Sequence, residues 1–161
     1  VSPAARHSAG LLPFWVGEAV GGVRVIEVFL GHMGGPFWAR KDDRAWSVVK
    51  GEYDPATEDP LAAARREFEE ETGVDLPVSE AIPLGEARSS AKLIQVWAVP
   101  ADRSLAFVSS STFTLEWPPR SGRLVEFPEI DRADWFTLER ARSAVVTSQV
   151  PFLERLARLL A

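Results

Sequence analysis

Four glutamates stand within five consecutive positions, Glu67, Glu69, Glu70 and Glu71, in the stretch EFEEETGV. On a helix of about 100° per residue, Glu67 and Glu71 lie one turn apart and Glu70 falls within the same arc. Like charges so spaced repel, so something must compensate them. Glu69 points elsewhere, where Arg65 at i−4 can pair with it, and Arg66 stands at the same offset from Glu70. Ala63, one turn before Glu67 on the carboxylate arc, is expected to leave space for a bulky ligand. Oxygen donors without histidine or cysteine suit hard divalent cations, Mg2+ first and Mn2+ second, and argue against zinc. The same run also fits an ordinary solvated acidic face, which would bind such an ion only weakly.

The helix that must present these carboxylates is well punctuated. Asp59 is placed to cap it, Pro60 sits where its missing N–H costs nothing, and Gly73 comes where a left-handed residue is wanted. Leu61, Ala64 and Phe68, at i, i+3 and i+7, form an apolar stripe for packing on a sheet. Upstream, Ser8 to Val16 and Val23 to Leu30 read as strands flanking the turn GEAVGG, and WSVVKG reads as a short strand ending at Gly51. Downstream, AIPLGEARS and KLIQVWAV read as an antiparallel pair. Residues 101 to 131 read as loops with one strand among them, DWFTLERARSAV as a strand end and helix, and PFLERLARLLA as an amphipathic terminal helix. Strands and helices interleave without a regular βαβ rhythm, so a mixed sheet covered by helices is expected.

The 161 residues suit one domain, 1–161, whose core can stand without disulfides. The chain has no cysteine, which suits a reducing cytoplasm, and no apolar stretch of spanning length, so a soluble cytoplasmic protein is expected. Net charge is −5, but residues 51 to 75 hold nine acids against two bases, leaving the remainder mildly basic. A focused negative pole suggests a cation site beside a surface for an anion. A broad basic stripe is missing, so no stable nucleic-acid complex is expected.

The segment GEYDPATEDPLAAARREFEEETGV resembles the Nudix box, in which Gly, Glu and an Arg-Glu-U-x-Glu-Glu-x-Gly-U run (U apolar) recur at fixed spacing. Gly51, Glu58, Arg66, Glu67, Phe68, Glu70, Glu71, Gly73 and Val74 occupy those roles. The seven-residue gap from Glu58 to Arg66 matches, whereas six residues rather than five separate Gly51 from Glu58. The resemblance implies a Nudix-type α/β/α sandwich around a mixed sheet. It also implies hydrolysis of a nucleoside diphosphate linked to another group with Mg2+ or Mn2+, with no covalent protein nucleophile. By position it makes Glu67, Glu70, Glu71 and the Gly51 carbonyl metal ligands, and Glu58 with Arg66 a pair joining loop to helix. The segments GPFWARKDDRAW and WPPRSG resemble a bacterial Nudix subgroup of unassigned substrate. Dinucleoside polyphosphates or nucleoside triphosphates are the favoured substrates, with nucleotide sugars next. A non-catalytic Nudix-fold module that senses a nucleotide is the alternative, although such modules typically degrade the carboxylate set that is intact here.

A base for the attacking water could be a box glutamate, Glu67 first, or a glutamate on a distant loop. Glu129, with Glu126 as its neighbour in EFPEIDRADWF, stands six residues before Trp135, where Nudix proteins that cleave dinucleoside polyphosphates often place a glutamate. Glu116 is a weaker third. Lys50, Arg44, Lys41 and Arg120 are candidates for substrate phosphates, Lys50 being best placed beside Gly51. Trp117, with Trp38 and Trp46, could stack on a base, while Trp97 and Trp135 suit the core. His7 and His32 carry no assigned role, and an oligomer is possible.

Overall fold

The computed structural model describes residues 5–161. A strand whose residues Ser8–Phe14 are buried without a break, as covering on both faces requires, makes β1 (Arg6–Glu18), which turns back through Gly21 and Gly22, both at positive φ, into β2 (Arg24–Met33). Short β3 (Trp46–Ser47) and β4 (Val49–Glu52) follow, then α1 (Pro60–Thr72). Next come β5 (Ile82–Ser89), β6 (Lys92–Pro100), β7 (Thr112–Glu116), β8 (Leu124–Pro128) and β9 (Ile130–Thr137). Helices α2 (Leu138–Ala144) and α3 (Val150–Leu159) end the chain, with a 3-10 turn at Thr147–Gln149 between them.

Seven strands form one mixed sheet in the order β3-β2-β1-β6-β5, with β4 added to β1 and β9 to β2. The β1–β6 pairing is parallel and the others are antiparallel. Period-2 alternation sends neighbouring residues to opposite faces. Leu12, Val28, Leu30, Val96 and Ala98 meet Phe152, Leu153 and Leu156 of α3 on one face. Leu11, Phe29, Trp97 and Val99 meet Ala64 and Phe68 of α1 on the other. A helix layer on each side makes the α/β/α sandwich expected.

Three local readings are corrected. WSVVKG is two strands, broken at Val48 because its N–H is taken by the buried Gln149 Oε1 at 2.8 Å rather than by a ladder partner. Residues 101 to 131 contain a second small sheet, the β7–β8 hairpin, paired from Thr112↔Pro128 to Glu116↔Leu124. Its inner residues Phe113 and Phe127 face each other across the two strands, with ring centroids 6.0 Å apart. Ala63 is fully buried against the sheet and offers no ligand space. Of the carboxylate arc, Glu70 alone reaches solvent.

Candidate active site

Helix α1 begins as its sequence dictates: Asp59 Oδ2 accepts from Ala62 N at 3.1 Å, and Pro60 occupies the first turn. It ends at Gly73, φ 80°, whose N–H donates to Glu69 O at 2.8 Å. The helix lies on β1, β4 and β6 so closely that Glu67 and Glu71 are buried at 8% and 5% exposure, while Glu70 reaches solvent. The three carboxylates each offer an oxygen within 4.8 Å of the others. The expected Arg65–Glu69 pair is replaced by a bidentate bond from Arg65 to Asp75 at 2.7 and 3.0 Å, just past the helix end.

Arg66 binds the cluster together. Its Nε and Nη2 donate to Glu58 at 2.8 Å each, and Nη1 donates to Glu67 at 2.9 Å and Glu70 at 3.1 Å. The planar fork serves three carboxylates from one side, taking both oxygens of Glu58 and of Glu70 and leaving Glu67 Oε2, the oxygen nearest Gly51, outside its reach. The extra residue before Glu58 is absorbed in a turn: Asp54 Oδ1 accepts from Ala56 N, and Asp54 O accepts from Thr57 N and Glu58 N. Gly51 therefore keeps its place on β4, directly against Glu67. A Cβ there would lie 1.8 Å from Glu67 Oε2, so only glycine admits this approach.

These groups wall a cavity of about 390 Å³. Glu67, Glu70, Glu71 and Gly51 form one side; Lys50, Lys92 and Glu129 complete it. Burial pushes Glu71 up to about 7 and raises Glu67 despite the opposing pull of Arg66. Burial, reinforced by Lys92, lowers the Lys50 ammonium. Acidic groups destabilised in their charged form, all donating oxygen, fit a hard divalent cation.

Two candidates outside the box thus reach the cavity, Lys50 and Glu129; others lie elsewhere. Glu126 is exposed on β8 opposite Thr114. Arg44 donates to Arg142 O at 2.6 Å and Val145 O at 3.1 Å, tying its loop to the end of α2. Lys41 lies 5.3 Å over the Trp38 ring, Trp117 packs edge-on against Phe37 at 5.4 Å, and Arg120 sits in the β7–β8 turn at φ 63°. None of these five lines the cavity. Trp46 is buried and donates to Asp42. Unanticipated are Lys92, Ser8, Glu52 and Ser111 in the lining, and Ser110 behind Glu71. Glu52 is held by Arg6 through two bonds of 2.5 and 2.8 Å.

The NUDIX domain family matches residues 24–156, and the chain belongs to that family. No curated protein matches it in sequence. Among solved structures, it resembles a C. elegans Ap4A hydrolase, crystallised as a binary complex, at 20% identity and TM-score 0.62, covering 96% of this chain and 97% of the other. A mutT/nudix family protein from Listeria innocua aligns at 15% identity and TM-score 0.62 over 99% and 96%. The NUDIX domain of Shewanella oneidensis NrtR, complexed with ADP ribose, aligns at 12% identity and TM-score 0.61 over 99% and 91%. The fold is that of the NUDIX domain family. No helix among the described residues is long and apolar enough to cross a membrane.

Proposed function

We propose that the protein hydrolyses a pyrophosphate linkage in a nucleoside diphosphate-linked substrate, with Mg2+ as the working cation and Mn2+ as its substitute. Dinucleoside polyphosphates and nucleoside triphosphates are the favoured substrates. The observation that carries the reading is the facing of Glu67, Glu70 and Glu71 by Lys50 and Glu129 across one cavity. The Ap4A hydrolase and the ADP-ribose complex among the structural relatives support a nucleotide substrate.

Glu67, Glu70, Glu71 and the Gly51 carbonyl would hold the cation. When bound, such an ion neutralises anhydride charge and polarises the phosphoryl group under attack. Arg66 keeps Glu67 and Glu70 aimed inward, so little reorganisation is needed as charge develops. Lys50, with Lys92 beside it, meets the negative oxygens of the chain next to the scissile bond. Glu129, on the opposite wall from α1, accepts the proton of the attacking water. A cytoplasmic setting accords with the cysteine-free sequence.

The test is a panel of dinucleoside polyphosphates, nucleoside triphosphates, ADP-ribose and nucleotide sugars, assayed with and without Mg2+, with products resolved to identify the broken P–O bond. Cation-dependent cleavage of a phosphoric anhydride is the expected result. Binding of nucleotide without turnover across the panel would sink the proposal.

A further inference from the structure

Between β6 and β7 the chain crosses the end of α1, and what it does there is not explained by packing alone. Val108 N and Ser109 N both donate to Thr72 O, at 2.8 and 3.1 Å, and Ser111 N donates to Glu70 O at 2.9 Å. These bonds satisfy carbonyls that a helix terminus leaves open. The side chains turn toward the buried ligand carboxylate. Ser111 Oγ donates to Glu71 Oε1, and Ser110 Oγ lies 3.3 Å from Oε2 and 2.9 Å from Ser111 O, sharing its one proton between them.

The same two residues also grip the far wall. Glu129 N donates to Ser111 O at 2.9 Å, and Ile130 N donates to Ser110 Oγ at 3.1 Å. Everything between Ser111 and Glu129 is the β7–β8 hairpin, so the serines are the neck through which that excursion leaves and returns. Glu71 and Glu129, distant in sequence, thereby share one short hydrogen-bonded bridge. Among the described residues no arginine bonds to Glu71; Arg66 serves Glu58, Glu67 and Glu70.

We infer that Ser111, assisted by Ser110, is a positioning residue that fixes the Glu71 carboxylate for the cation and sets its spacing to Glu129. The inference rests on the function proposed above. A carboxylate without this bridge would rotate about its side-chain torsions, and the cation would have to order it on binding. Partners of metal ligands typically contribute about 10- to 100-fold in affinity or activity.

The test compares Ser111→Ala, Ser111→Thr and Ser110→Ala with the unmodified protein. Mg2+ affinity is measured by calorimetry, and kcat and KM on whichever panel nucleotide is cleaved. Ser111→Ala is expected to weaken Mg2+ binding about 10-fold or more and to lower kcat with little change in KM. Ser111→Thr keeps a hydroxyl and should stay within about three-fold of the parent on both readouts. Ser110→Ala should have the smaller Mg2+ effect, since it supplies the longer bond. If Ser111→Ala binds Mg2+ and turns over like the parent, or if Thr fails to rescue a folded Ala variant, the inference is overturned. Should Ser111→Ala not fold, the Ser111→Thr and Ser110→Ala values decide alone: parent-like Mg2+ affinity with threonine sustains it, and loss there ends it. A parent that binds Mg2+ but cleaves nothing would overturn the proposed function, while the affinity series would still decide the role of Ser111.

Discussion

Gly51 on β4 and Glu67 on α1 are in such close contact that a single added methyl on residue 51 would fall 1.8 Å from Glu67 Oε2 and 2.0 Å from its carboxyl carbon. The atoms in the way are the far end of a side chain, not backbone. Gly51→Ala should therefore fold, displacing the carboxylate rather than the helix. Apparent Mg2+ affinity should fall at least about ten-fold, with only a modest loss of thermal stability. Parent-like Mg2+ affinity in the alanine variant would show that Glu67 is not needed where it lies.

Glu70→Gln and Glu71→Gln preserve size and remove charge. Turnover should fall by more than the roughly 10- to 100-fold that supporting partners cost, while the circular dichroism spectrum is kept and thermal stabilisation by Mg2+ shrinks. Full activity in both variants would leave the carboxylate cluster as an ordinary acidic face.

Arg66 contacts Glu58, Glu67 and Glu70 together. Lysine retains the charge but cannot serve three carboxylates from one plane. Arg66→Lys should lower kcat/KM about ten-fold or more and leave the Glu58 loop more exposed to proteolysis. Unchanged rate and cleavage pattern would mean that charge alone suffices.

The box helix was legible because its signals are local. Asp59, Pro60 and Gly73 punctuate it, and one turn of helix carries Glu67 to Glu71. Lys50 and Glu129 were legible for weaker reasons, adjacency to Gly51 and spacing from Trp135. Ser111 was not, because it meets Glu71 across 40 residues and no periodicity links a serine in a loop to a helix end. Arg44 illustrates the converse: a loop arginine looks free in sequence, yet here it finds two carbonyls at the end of α2. The β7–β8 hairpin was hidden because its strands are five residues each and stand outside the main sheet. Their joining segment WPPRSGR reads simply as a loop.

A pH effect follows from the buried carboxylates. Glu71 titrates near 7 in the folded, cation-free protein against an ordinary value of 4.5, and Glu67 is displaced in the same direction. Between those values the folded state holds more protons than the unfolded state, so stability falls as pH rises through that window. In chelator, Tm should drop between about pH 5 and 8. Saturating Mg2+ should flatten the decline, since it binds the charged form, and Glu71→Gln should flatten it without metal. A Tm that climbs across this range in chelator would contradict the assignment.

Glu129 offers the sharpest separation of roles, because it borders the same cavity as the cluster yet comes from another part of the chain. If it takes the proton from the attacking water, Glu129→Gln should reduce kcat by a factor of about 100 to 10,000 with little change in KM or Mg2+ affinity, since such help acts in the transition state. If it ligates the cation instead, the Mg2+ concentration for half-maximal rate should rise and excess Mn2+ should recover part of the loss. Glu126→Gln is the control made in parallel. Its carboxylate projects from β8 into solvent and does not line the cavity, so activity should stay within a few-fold of the parent. Should Glu126→Gln alone be inactive, the hairpin must rearrange on substrate binding to bring it inward. Should neither variant lose more than a few-fold, the base lies on α1 itself, where Glu67, buried and already held by Arg66, is the first carboxylate to test.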